Sequence, residues 1–171
     1  MTPASSRVFL RQPVDVGSID ANGLVVGKWH ATLYQCMDNA IVPNCLVATC
    51  CPCLSLAQTM HRMGFHSFIG TLLVHGTCVG GGLVSISLIE FDTAFIATAV
   101  AFALLAAAFV ARGRRLVRRS LCIPGNAIDD CIVSVCCSCC GLAQMATQAR
   151  TYNATVCDVS PKDRLPGYHA T

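Results

Sequence analysis

The stretch NCLVATCCPCLSLAQ, residues 44 to 58, places four cysteines within nine residues, and DCIVSVCCSCCGLAQ, residues 130 to 144, repeats the arrangement. Cys45, Cys50, Cys51, Cys53, Leu56, Ala57 and Gln58 recur as Cys131, Cys136, Cys137, Cys139, Leu142, Ala143 and Gln144, at a constant offset of 86 residues. Thiolates are soft ligands suited to zinc, cadmium or cuprous ions, and four of them at about 2.3 Å close a tetrahedral site. The spacing joins adjacent cysteines to C-x-C, not the paired C-x2-C of a zinc finger. Three uses therefore stay open: metal ligation, acylation beside a membrane, and service as small apolar side chains. For metal or reactive chemistry the favoured thiols are Cys51, Cys53, Cys137 and Cys139, and disulfides are disfavoured if the segments face the cytosol.

Other residues offer chemistry of narrower kinds. His75 and Cys78 stand one turn apart inside an apolar run, where an ionisable group is a functional candidate; the plainer reading is a neutral imidazole bonded to a backbone carbonyl across a helix pair. Asp38, Asp129 and Asp130 adjoin the Cys copies. They either complete a cation site with oxygen ligands or cap helices, a role that suits Asp130 ahead of CIVSV. Glu90 and Asp92 either gather cations at an external mouth or are simply solvated. No nucleophile elbow, zinc-protease helix or phosphate-binding glycine loop is present, so an enzyme is not expected. The basic run RGRRLVRR lies beside an apolar segment and fits anionic lipid better than nucleic acid.

The elements that must position these residues are set by hydrophobicity. Charged residues make up 12% of the chain and hydrophobic ones 54%, against roughly 25% charged in ordinary soluble domains. Residues 68–89 and 93–111 carry no formal charge. As helices these runs reach about 33 and about 28 Å, close to the roughly 30 Å hydrocarbon core of a bilayer. Only Glu90, Phe91 and Asp92 separate them, so they form an antiparallel transmembrane hairpin over 68–111 with an acidic tip. Five arginines follow the second run, against Arg62 before the first, which predicts both termini in the cytosol. The two Cys copies flank the hairpin, so they share one face of the membrane and can meet.

Each copy reads as a short helical segment. Pro52 predicts a break or helix start at Cys51, whereas Ser138 in its place lets the second copy run more continuously. Cys45, Cys50 and Cys53 fall in one broad arc of a helical projection, with Cys51 pointing away. Gly76 and Gly80 allow close approach of a second helix. Residues 1–27 and 153–171 mix proline, glycine and charge and read as flexible tails around a Cys-rich domain of residues 28–152. The fold class is mainly α, a membrane protein with a helical hairpin between two Cys-rich segments.

CLVATCCPC followed by LAQ, with LYQC upstream and IPGNAIDDC before a second Cys run and a second LAQ, resembles the placenta-specific gene 8 family. The likeness runs from about Trp29 to Tyr152. Its most specific element is C-L-x4-C-P-C, carried by Cys45, Leu46, Cys51, Pro52 and Cys53; Arg115, Arg118, Pro124, Gly125, Asp130 and Cys131 look like its second-half signature. The spacer here departs from the short central segment usual in plant members, being a full two-span hairpin. The resemblance implies a small membrane protein, often at the plasma membrane, tied to divalent-metal export or tolerance, calcium uptake or control of cell number. Two readings follow. One is divalent-metal transport or homeostasis, zinc being one candidate ion, by a homo-oligomer or with a partner channel. The other is a non-transporting membrane regulator or scaffold whose cysteines are acylated or structural.

Overall fold

A computed structural model describes residues 15–33, 35, 42–151 and 159–168. Cys36, Asp38, Tyr152 and Cys157 lie outside the described residues. Six helices follow in chain order: α1 (Val42–Cys50), α2 (Pro52–Arg62), α3 (Phe68–Ser87), α4 (Ala94–Ser120), α5 (Ala127–Cys136) and α6 (Ser138–Gln148). Among the described residues there is no strand, only an isolated bridge between Ile19 and Val25.

The hairpin is α3 and α4, packed on each other, and both are long and apolar enough to cross a membrane. Ser67 opens α3 by accepting a bond from the Gly70 amide at 3.2 Å, and Thr93 precedes α4. Only 17% and 11% of the two apolar windows is buried inside the protein, so their remaining surface matches a hydrocarbon solvent. Close approach within the hairpin falls at Gly81 and Gly82, which receive Phe102, whereas a Cβ at Gly80 would meet nothing within 4 Å. The pair expected for close approach, Gly76 and Gly80, is thus not where these two helices touch most tightly. α4 runs on beyond the apolar stretch, through the arginines to Ser120.

α1, α2, α5 and α6 gather around the arginine-bearing end of α4, and the copies do meet: α6 packs against both α1 and α2. Leu56, Met60, Met63, Val117, Leu121, Leu142 and Met145 form the buried core there. Pro52 occupies the start of α2 and Cys51 is non-helical at φ −134°, as proline chemistry dictates. The second copy does not run continuously. It breaks at Cys137 (φ −149°), and α5 and α6 meet at 118°. No proline is needed, because the bend turns α6 into the core, where Leu142, Ala143, Met145 and Ala146 are all buried. The shared arc of Cys45, Cys50 and Cys53 fails because the break at Pro52 puts Cys53 on a different helix from the other two.

The repeat extends past its visible identities. α2 ends with Gly64 at φ +73°, its amide bonded to the His61 carbonyl and the Phe65 amide to that of Met60. At the same offset, α6 ends with Arg150 at φ +51°, bonded to Thr147, and Thr151 to Ala146. Glycine adopts this left-handed turn without strain; arginine does not.

The described parts of the two outer segments make defined contacts. Residues 15–27 turn on Asp20, whose carboxylate accepts from the amides of Asn22 and Leu24, and Leu24 is 1% exposed in the core. Residues 159–168 lie against α2, with the Leu165 amide bonded to the Arg62 carbonyl at 2.7 Å.

Candidate functional site

Three sulfurs come together at the elbow between α5 and α6. Cys137, Cys139 and Cys140 place their Sγ atoms within 4.8 Å of one another. Cys137 and Cys140 are joined as a disulfide, and Cys139 stands 3.9 Å from Cys137 and 4.0 Å from Cys140. Those two separations are close to the roughly 3.8 Å edge of a tetrahedron built on about 2.3 Å metal–sulfur bonds. With the third edge closed by the sulfur–sulfur bond, the cluster suits a soft cation only when Cys137 and Cys140 are reduced to thiols. The helix turn after Cys137 brings Cys140 back onto its neighbour, so a C-x-x-C step at the head of α6 builds the cluster.

Of the expected ligands, Cys137 and Cys139 are in this cluster, and Cys140 joins them. Cys50, Cys51, Cys131 and Cys136 are exposed, while Cys45 and Cys53 are half-buried. Among the described residues no group of three metal-ligating side chains combines the two copies. Cys140 was missed because the first copy has Leu54 there, so the repeat gave it no counterpart; the C-x-x-C spacing was the available signal.

The first turn of α5 carries a buried polar node. Asp130 is 2% exposed and pairs with two arginines of α4. Arg118 donates to Oδ2 from Nε at 3.1 Å and Nη2 at 3.0 Å, while the Nε of Arg114 stands 3.3 Å from Oδ1, an ion pair without good hydrogen-bond alignment. Asp130 is therefore not a helix cap. Asn126 has that role in α5, accepting from the Asp129 amide at 2.8 Å. Arg114 also donates to Gln144 at 2.6 Å and stacks its guanidinium 4.4 Å from the Trp29 ring centre. Two of the five arginines expected to set topology are thus turned inward.

The glutamines of the repeat hold the chain's outer segments, and they do so crosswise. Gln144 donates to the Ala31 carbonyl at 2.7 Å, and Gln148 donates to Val25 and accepts from the His30 amide. Gln58 donates to the Ser160 carbonyl at 3.1 Å, and Arg62 donates to Asp163. Gln58 with Arg62 and Gln144 with Gln148 are counterparts at the repeat offset. The second copy grips the segment before it in the chain, and the first grips the segment that ends it.

Within the hairpin, His75 and Cys78 both point inward at 2% and 8% exposure. The ring of His75 meets Phe109 edge-on with centres 6.5 Å apart, and neither ring nitrogen makes a hydrogen bond. The cross-hairpin carbonyl bond expected for it is absent among the described residues; the Ala106 backbone bears on the ring without closing one in good geometry.

A hairpin of two helices apolar enough to cross a membrane, seated on a duplicated, elbowed Cys-rich helix pair, defines a small Cys-rich protein of membrane type. The sequence profile of the PLAC8 family matches residues 29–148, and the chain belongs to that family. Comparisons with curated proteins and with solved structures give no significant match.

Proposed function

We propose that this chain is a membrane protein of divalent-metal homeostasis, in which the thiols of Cys137, Cys139 and Cys140 take up a soft ion transiently. The convergence of those three sulfurs carries the reading. Reduction of the Cys137–Cys140 bond by a dithiol gives two thiols and the oxidised reductant; a divalent ion then displaces the thiol protons. A three-thiol site with an open fourth position suits exchange better than permanent storage. One hairpin cannot enclose an aqueous pathway, so movement of the ion requires a homo-oligomer or a partner channel. Both termini and the Cys-rich layer face the cytosol in this reading, since Arg112, Arg115 and Arg119 follow the second span. The plasma membrane is the proposed location.

The test is metal stoichiometry. Protein purified under reductant and exposed to zinc should retain about one equivalent per chain, and Cys139→Ser should lose it while remaining folded. Equal retention by Cys139→Ser and by a Cys137→Ser, Cys140→Ser double variant would remove the ligand role.

A second reading rests on a separate observation. Cys50, Cys131 and Cys136 are exposed beside the exposed apolar side chains Leu46, Ile132 and Val135. That surface suits acylated thiols on a non-transporting scaffold. Hydroxylamine-sensitive acyl label on these cysteines, with no retained metal, would favour it.

A further inference from the structure

One cavity of about 270 Å³ lies where the hairpin leaves its apolar stretch, between α2, α3 and α4. Leu56, Met60, Val74, Phe109 and Leu116 give it an apolar wall. It is larger than the roughly 150 Å³ apolar cavity that accommodates benzene in an engineered protein. Val74 and Phe109 are 48% and 37% exposed and belong also to the outer surface of the spans, so the cavity opens towards the acyl phase. At its rim stand His66 and Arg112, both exposed.

The arginines explain why the rim is electropositive. Arg114 and Arg118 both turn inward and pair with Asp130, whose single carboxylate offsets one of their two charges. Arg112 has no ion-pair or hydrogen-bond partner among the described residues and stands one residue beyond the apolar run, which sets it at headgroup depth when that run crosses a bilayer. An apolar slot reachable from hydrocarbon, with an uncompensated guanidinium at the water boundary, matches one ligand chemistry: a chain attached to an anion.

We propose that this cavity is a binding site for an anionic phospholipid, with an acyl chain along Val74 and Phe109 and the phosphate on Arg112 beside His66. The site is separate from the thiol cluster, and its test does not involve metal.

The experiment titrates delipidated full-length protein in detergent with phosphatidylserine or phosphatidylcholine of identical chains, and counts bound lipid by native mass spectrometry. Wild type should bind phosphatidylserine in preference and saturably. Arg112→Gln should weaken phosphatidylserine binding about five-fold, the value expected for one basic group at an anionic surface, and leave phosphatidylcholine unchanged. Thr71→Trp, which fills the slot from α3, should weaken both lipids. If that variant misfolds, Val74→Trp at the exposed lip replaces it. Arg119→Gln, basic and exposed but outside the lining, is the control. Unchanged binding in folded Arg112→Gln and slot-filling variants would overturn the proposal. So would a loss in Arg119→Gln equal to that in Arg112→Gln, which would mark a diffuse surface effect.

Discussion

Asp130 holds two guanidinium groups that would otherwise be buried with no countercharge, and its removal is costly for that reason and not because the pair itself is strongly stabilising. Asp130→Asn should lower stability by about 3–5 kcal/mol, whereas replacing Asp130, Arg114 and Arg118 together by apolar residues of similar size should cost much less. Unfolding in detergent, followed by the emission of the single tryptophan, Trp29, which stacks on Arg114, distinguishes the two. A smaller effect of opposite sign is expected at Arg150. Its left-handed backbone disfavours a side chain by roughly 1–2 kcal/mol, so Arg150→Gly should raise the unfolding midpoint. At Gly64, the counterpart, alanine should destabilise, since its Cβ would also lie 3.1 Å from the Tyr168 carbonyl oxygen.

At the scale of elements, the hairpin was legible because a bilayer-length apolar run needs no partner to be recognised, and α3 and α4 begin within a residue of the expected limits. The proline break at Cys51 was legible because proline acts locally. The break at Cys137 was not, since it is imposed by burying α6 and leaves no mark at Ser138. The same holds for Asp130: beside CIVSV it looks like a cap, and only the arrival of α4 from a distance makes it a countercharge. Glycines behave similarly, because spacing does not say which face of α3 meets α4. Gly81→Leu should therefore splay the hairpin by forcing out Phe102, and Gly80→Leu should leave the fold intact. Should Gly80→Leu weaken crosslinked ladders in detergent while Gly81→Leu lowers yield, the open face of α3 is the one that pairs between copies; identical ladders for wild type and Gly80→Leu would exclude it.

For the molecule as a whole, the crosswise grip makes the Cys-rich layer depend on both outer segments. Deleting residues 159–171 should strip partners from Gln58 and Arg62 and loosen the first copy, although neither cysteine run is touched. Gln144→Ala should do the same to the segment around Ala31. Limited proteolysis locates each effect: new cuts near Thr59 in the first case and near Trp29 in the second. The orientation proposed above predicts that a tag at Phe91 is reached from outside intact cells, while tags at both termini are not.

The 27 residues of α4 make one unbroken rod of about 40 Å, roughly 10 Å longer than the hydrocarbon it would cross. A rod anchored this way is a lever. With its apolar arm across a bilayer, the other arm carries the two guanidinium groups clamped to α5, so a tilt demanded by a thinner bilayer would be passed to the elbow at Cys137. Maleimide should then label Cys136 at different rates in short-chain and long-chain lipid; equal rates would show that tilt of α4 does not reach the elbow.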